Sequence, residues 1–138
     1  MKKLLLFFAI VALLTSCNSV TEAYLEADVS ASNKQCPMSM GNGLTMTKIE
    51  KDSNYVIYHV EGDSNLYRFS EDLVTEDLKN HMVSETLSNA KKDASVKKFV
   101  DALIKLHIGV VYHYYTSSGS TMDVVLESER FSSVEVAE

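Results

Sequence analysis

The sequence lacks the short motifs of common catalytic and cofactor-binding sites. It has no His-Glu-x-x-His helix, no Gly-x-Ser-x-Gly turn, no glycine-rich phosphate loop and no Cys-x-x-Cys pair. Internal repeats and low-complexity tracts are also missing. The acids Glu71, Asp72, Glu76 and Asp77 suit the first turn of a helix, and their spacing does not indicate carboxylate catalysis. We therefore expect neither an enzyme nor a bound cofactor.

Long apolar segments are scarce. Leu4 to Leu14 is an unbroken apolar run of eleven residues, and it follows the basic start Met1-Lys2-Lys3. A membrane-spanning helix needs about 20 apolar residues, whereas the apolar core of a secretory signal has about 7–15. The sequence therefore predicts a secretory leader rather than a transmembrane helix.

Cysteine is also scarce, with only Cys17 and Cys36 in the chain. The run Leu14-Thr15-Ser16-Cys17 resembles a bacterial lipobox, which is an aliphatic residue, two small residues and Cys. The resemblance implies a lipoprotein signal peptide at 1–16, cleavage before Cys17, diacylglycerol on its sulfur and a palmitate-type acyl chain on the new amino group. Two or more chains make such membrane attachment stable. The alternative is an ordinary secretory signal with a chance Cys. Because residue 18 is Asn rather than Asp, we expect the outer membrane, with periplasmic or surface orientation left open.

The chain has fewer basic residues than acidic ones. The chain has 13 Lys and Arg against 19 Asp and Glu, a net charge of −6, and loss of Lys2 and Lys3 with the leader makes the net charge −8. An acidic domain repels phosphate backbones and anionic lipid surfaces. We therefore expect no nucleic-acid partner, and we expect membrane attachment to rest on the lipid anchor alone.

Alternating apolar and polar residues predict two hairpins. The first pairs Leu44–Lys51 with Tyr55–Glu61 across a turn of Asp, Ser and Asn. The second pairs Ile108–Thr116 with Thr121–Glu127, and Gly119 between them can adopt the left-handed conformation of a short hairpin loop. A stretch at 35–43 with Pro and two Gly is predicted to be non-helical.

Helical periodicity marks three further regions. Residues 17–33 contain the lipidated Cys and then either a short helix or a flexible tether. Ser70 is a suitable N-cap for a second helix, with Phe69 packing onto Val74 as a hydrophobic staple. A third helix begins near Asp93. Their apolar positions are, in turn, Val20, Tyr24, Ala27 and Ala31; Val74, Leu78, Met82 and Leu87; and Val96, Phe99, Val100, Leu103 and His107.

Two hairpins that flank a central helical region predict an α+β fold. We expect an antiparallel sheet of about four strands, with the helices packed on one face and residues 34–138 forming a single domain. The run Asn33-Lys34-Gln35-Cys36-Pro37, together with the two hairpins, resembles small lipoproteins of gut Bacteroidota. That family has no established activity, so the resemblance implies a fold and a compartment and supplies no site residues.

Cys36, Met38 and Met40 form a C-x-M-x-M pattern of soft ligands, which select Cu(I). If the segment were extended, alternate side chains would point to one side and could converge on an ion. The competing interpretation, which we favour, is that the thiol is buried and the Met side chains fill gaps in the core. With Cys17 lipidated, Cys36 has no partner for an internal disulfide.

One predicted sheet face is unusually apolar. Strand alternation places five residues on the face opposite the likely core: Ile57, His59, Val111, His113 and Tyr115. Exposed aromatic patches often mark interaction sites, so this face is a candidate surface for a protein partner at the envelope. The competing interpretation, which we favour, is that the N-terminal segment, or the tail from Phe131 to Glu138, covers it.

The sequence therefore favours a lipid-anchored envelope lipoprotein with a non-enzymatic binding module, such as an inhibitor or an accessory subunit. A Cu(I)-binding protein that uses Cys36, Met38 and Met40 is the alternative.

Overall fold

A computed structural model describes residues 19–136 of the chain. Within this part, a first helix, α1, covers residues 19–34. The remaining elements are β1 (Met38–Gly41), β2 (Leu44–Lys51), β3 (Tyr55–Gly62), a 3-10 turn (Glu71–Leu73), α2 (Glu76–Lys92), α3 (Ala94–Leu106), β4 (Gly109–Thr116), β5 (Thr121–Leu126) and α4 (Ser128–Val136). The predicted signal peptide at 1–16 and the lipidation site Cys17 lie outside the described residues.

The five strands form one sheet in the order β1-β2-β3-β4-β5. Both predicted hairpins are present, as the antiparallel pairs β2–β3 and β4–β5. The α+β prediction is confirmed, with one more strand than expected. The extra strand, β1, lies in the stretch predicted to be non-helical and pairs antiparallel with β2. Gly41 and Gly43 take positive φ angles of 83° and 80° in the tight turn between these strands, a conformation that glycine adopts without steric cost.

The central strands β3 and β4 pair in parallel, so the sheet is mixed rather than fully antiparallel. The loop at 63–75 explains this, because it runs back along β5 before α2 begins. Its Phe69 N–H donates to Ser120 Oγ in the β4–β5 turn, and Asp123 N–H in β5 donates to Glu71 Oε1. Between β3 and β4 the chain therefore runs along the sheet three times, as the loop, as α2 and as α3. Because each run reverses the direction of the chain, an odd number of runs gives the two strands the same direction.

Helix α2 begins at Glu76, six residues after the predicted cap. Thr75 is the N-cap, and its hydroxyl accepts a hydrogen bond from Leu78 N–H at 3.1 Å. Ser70 instead precedes the short 3-10 turn and makes no side-chain capping bond. The prediction was wrong because the bonds from the loop to the β4–β5 hairpin keep Val74 in an extended conformation.

Helix α3 matches its predicted apolar stripe except at the last position. Val100 and Leu103 are buried, and Val96 and Phe99 are half-buried. His107 is exposed and is the C-cap, with a left-handed φ of 55°. The stripe ends before His107 because the chain must leave the helix there to enter β4.

Residues 19–34 form a helix rather than a flexible tether, but the buried side of this helix differs from the prediction. Leu25 and Val29 are buried, whereas Val20, Ala27 and Ala31 are exposed. Leu and Val bury more apolar surface than Ala, so the pair spaced by four residues sets the orientation of the helix.

The four helices of the described residues pack on the same face of the sheet. Their core residues meet the inward side chains of the strands in one cluster: Leu25, Val29, Val83, Val100, Leu103, Phe131, Val56, Val60, Val110 and Val124. Both segments expected to cover the opposite face therefore contribute to the core instead, through Leu25 and Phe131. Within residues 19–136, none of the helices combines the length and the apolar character needed to cross a bilayer.

Candidate functional site: the open face of the sheet

The strands present a second face, on the side away from the helices, which we call the open face. The parallel register of β3 and β4 places Ile57 beside Val111 and His59 beside His113. Tyr115 follows two positions later on β4, opposite Glu61. The five residues predicted to share this face therefore lie together, and each is half-buried. Their role in binding remains a prediction.

Two carboxylate–histidine pairs cross the open face in one row, which we call the histidine–carboxylate row. His59 Nε2 donates to Glu50 Oε2 at 2.6 Å, and His113 Nδ1 donates to Asp123 Oδ1 at 2.6 Å. The two imidazole rings meet edge to face, with centroids 5.5 Å apart. The row thus joins four adjacent strands, β2 to β5.

A β-bulge in β2 allows the first pair to form. The register with β3 shifts between Met46 and Lys48, so that Lys48 lies opposite His59 and Glu50 opposite Ile57. The Lys48 Nζ then lies 3.3 Å from Glu50 Oε2. The hydrogen bond from His59, aided by Lys48, holds the pKa of Glu50 below its ordinary value.

Tyr115 lies across the sheet above this row. Thr47 Oγ1 donates to the His59 carbonyl at 3.2 Å and lies 2.7 Å from the Tyr115 hydroxyl. Since Thr47 has one hydroxyl proton, Tyr115 is the donor to Thr47. The Tyr115 ring also stacks on His113 at 5.6 Å between centroids. These bonds hold the large side chains of the open face in fixed positions.

A second tyrosine borders the other end of the open face. The Tyr55 hydroxyl donates to Glu127 Oε1 at 2.7 Å, and this bond raises the pKa of Tyr55. The Tyr55 ring passes directly over Gly109, where an added Cβ would lie only 2.8 Å from Tyr55 Cε1. Gly109 therefore leaves the space in which Tyr55 reaches across β4 to Glu127.

Each imidazole of the row is oriented by a carboxylate, as the histidine of a hydrolase triad is oriented by its aspartate. A hydrolase also needs a nucleophile bonded to the imidazole. In the described network the hydroxyl beside the row, Thr47, bonds to a carbonyl and to Tyr115 instead. Among residues 19–136, no three His, Cys, Asp or Glu side chains are grouped as metal ligands.

The residues of the proposed Cu(I) site lie elsewhere, at the β1 edge of the sheet. Cys36 is half-buried, and its thiol donates to the Ser32 carbonyl of α1 at 3.8 Å. Met38 and Met40 are exposed, at 38% and 44% of their surface. They therefore do not fill gaps in the core, contrary to the interpretation we favoured. Met46, on β2, is buried.

Sequence reasoning missed the acidic partners of the histidines, Glu50 and Asp123. A signal was present, because strand alternation puts Asp123 and Val125 on the same side of β5. The bulge at Thr47 hid the corresponding side of β2, since one extra residue inverts the alternation beyond it.

The fold and the open face together define a class of protein: a small α+β domain with one helical layer and a sheet face on which none of the described helices packs. Solved structures of this fold include two pilotins of type 2 secretion systems. EpsS of Vibrio vulnificus has 13% identity and a TM-score of 0.53, over 83% of this chain and 94% of that chain. AspS of Vibrio cholerae has 13% identity and a TM-score of 0.55, over 85% of this chain and 97% of that chain.

A candidate secreted protein of Pseudomonas aeruginosa has the same fold, with 9% identity and a TM-score of 0.58 over 83% of this chain and 95% of that chain. No protein-family model and no curated protein matches the chain. At these identities the likeness shows a shared fold.

Proposed function

We propose that the protein is an outer-membrane lipoprotein, anchored through Cys17, whose folded domain is a non-enzymatic module that binds a partner protein at the cell envelope. The lipobox-like run before Cys17 supports the anchor, and the fold shared with two pilotins of type 2 secretion systems supports an accessory role in an envelope assembly.

The open face is the observation that carries the binding role. Four strands contribute side chains that are held in place by hydrogen bonds, yet none of the described helices packs on them. A preorganised surface binds with a smaller loss of conformational entropy than a flexible one. The centre of the surface is apolar and aromatic, as in the cores of protein interfaces.

Site-specific photocrosslinking in living cells tests this proposal. A photoreactive amino acid replaces Thr121 or Lys48, which are exposed positions on the open face, and Ser88, an exposed position on α2, is the matched control. We expect a protein adduct of defined mass from Thr121 and Lys48, and none from Ser88. An adduct from Ser88 alone, or no adduct from either open-face position, would contradict the proposal.

A further inference from the structure

The centre of the open face is aliphatic across three strands. Ile57 on β3, Val111 on β4 and Val125 on β5 occupy neighbouring positions in the registers of these strands. The solvated face of a sheet usually carries polar side chains at such positions. The three residues therefore form an apolar strip that a partner can bury.

Acidic residues surround this strip. Glu50 and Glu61 lie on its β2–β3 side, and Asp123 and Glu127 lie on its β5 side. Lys48 is the single basic residue among the described positions of the open face, and it is paired with Glu50 at 3.3 Å. Counting these four carboxylates and Lys48, the face carries an excess of three negative charges.

The helical layer has a different charge distribution. The two central helices carry six lysines, at positions 79, 91 and 92 of α2 and 97, 98 and 105 of α3, against four acids at positions 76, 77, 85 and 101. Their net charge of +2 lies on the side away from the open face. The potential at the open face is therefore more negative than the net charge of the protein alone would give.

We propose that the open face binds a basic, amphipathic segment of a partner protein. This proposal rests on the function proposed above and specifies the chemistry of the partner. Apolar side chains of the segment cover the strip of Ile57, Val111 and Val125, and its Lys or Arg side chains pair with Glu61 and Asp123. An anionic lipid surface or a nucleic acid is repelled by the same acids.

The available area fits a short segment. Four strands spaced about 4.8 Å apart span about 14 Å, and six residues of strand extend about 20 Å. A helical peptide of about 12–14 residues matches the length of this surface, whereas an extended segment needs only about six residues to cross it.

A labelled peptide of 14 residues that combines Leu and Lys in an amphipathic pattern serves as the probe, with the Leu/Glu peptide of identical pattern as its control. Fluorescence anisotropy measures binding to the lipidated mature protein in zwitterionic detergent. We expect saturable binding of the Leu/Lys peptide that weakens as salt is raised, and no binding of the Leu/Glu peptide.

Charge-neutral variants locate the site. The double variant E61Q/D123N should weaken binding of the Leu/Lys peptide about fivefold, because each exposed ion pair contributes modestly. The variant E22Q/E26Q, which removes the same charge from exposed positions of α1, should change affinity less than about twofold. V111T/V125T keeps the side-chain shapes and should also weaken binding, with a thermal melt confirming that each variant is folded.

Any of three results would overturn the inference. The two charge variants could weaken binding equally, the two peptides could bind equally, or the Leu/Lys peptide could fail to bind. Photocrosslinking from Thr121 is independent of peptide charge. A crosslink in cells without Leu/Lys binding would therefore refute the basic partner and leave the proposed function standing.

Discussion

The carboxylate of Glu71 accepts a hydrogen bond from the backbone N–H of Asp123 at 2.9 Å. Glu71 belongs to the 3-10 turn within the loop at 63–75, and Asp123 belongs to the edge strand β5. An uncovered edge strand offers its backbone groups to other chains and invites aggregation. This acid therefore protects the β5 edge and fixes the loop along the sheet.

Replacing Glu71 with Ala should lower the free energy of unfolding by about 1 kcal/mol, the typical contribution of one hydrogen bond. Glu71→Gln retains an amide oxygen as acceptor and should lose less. Urea unfolding measures both variants. Asp72→Ala, at the next exposed position of the same turn, is the control. If Asp72→Ala and Glu71→Ala lower the free energy of unfolding equally, the bond to β5 is not what stabilises the loop.

A second prediction concerns pH. Two bonds from Arg130 Nη2, the shorter at 2.7 Å, hold the pKa of Glu76 below its ordinary value of 4.5. The folded-state pKa is depressed, so the stabilisation is complete above the unfolded-state pKa and is lost as pH falls through the folded-state pKa.

Glu76→Gln should therefore be less stable than wild type at pH 7, and the difference should be smaller at pH 3, because Glu76 becomes protonated as the pH falls through its lowered pKa. Urea unfolding at both pH values measures this change, with the exposed Glu22→Gln on α1 as control. A difference of the same size at pH 7 and pH 3 would show that the ionised Glu76–Arg130 pair is not its source.

The lipid anchor gives a third prediction. Cys17→Ser removes the sulfur that the lipobox-like run offers for acylation, so the variant should be unlipidated and uncleaved. Metabolic labelling with a fatty-acid analogue should mark the wild type and not the variant. Cys36→Ser is the matched control and should label normally. Equal labelling of the wild type and Cys17→Ser would refute the lipoprotein prediction.

The Cu(I) alternative gives a fourth prediction. The Cys36 thiol donates to a helix carbonyl, while Met38 and Met40 lie on the exposed edge strand. We therefore expect the reduced mature protein to bind no Cu(I) in competition with a chelator of moderate affinity. Stoichiometric binding that disappears in Cys36→Ser and weakens in Met38→Leu would establish the metal site instead. Met46→Leu, in the core, serves as the control for a general loss of thioether.

Local periodicity is sufficient to locate most elements of this protein. The predicted strand Leu44–Lys51 coincides with β2, and the three other predicted strands differ from β3, β4 and β5 by one residue at an end. Helix α3 is found equally well, because its apolar stripe is continuous. The start of α2 is not found from the sequence, because the loop before it is held by contacts with β5, which is far away in sequence.

The candidate site was predictable in part for the same reason. Alternation within a strand is a local property, so it placed Ile57 and His59 on one side of β3, and Val111 and His113 on the same side of β4. Their acidic partners come from β2 and β5. Finding them requires the register between strands and the bulge at Thr47, which no single strand contains.

The amino-acid sequence by itself determines the two hairpins, the main helical stripe, the acidic balance and the lipobox-like run, because each depends on residues close together in the chain. Only the tertiary structure decides that β3 and β4 run parallel, that Leu25 and Phe131 enter the same core, and that the opposite face stays uncovered by the described helices. Those features depend on which packing arrangement removes the most apolar surface from water, and that arrangement is set by contacts among residues from the whole chain.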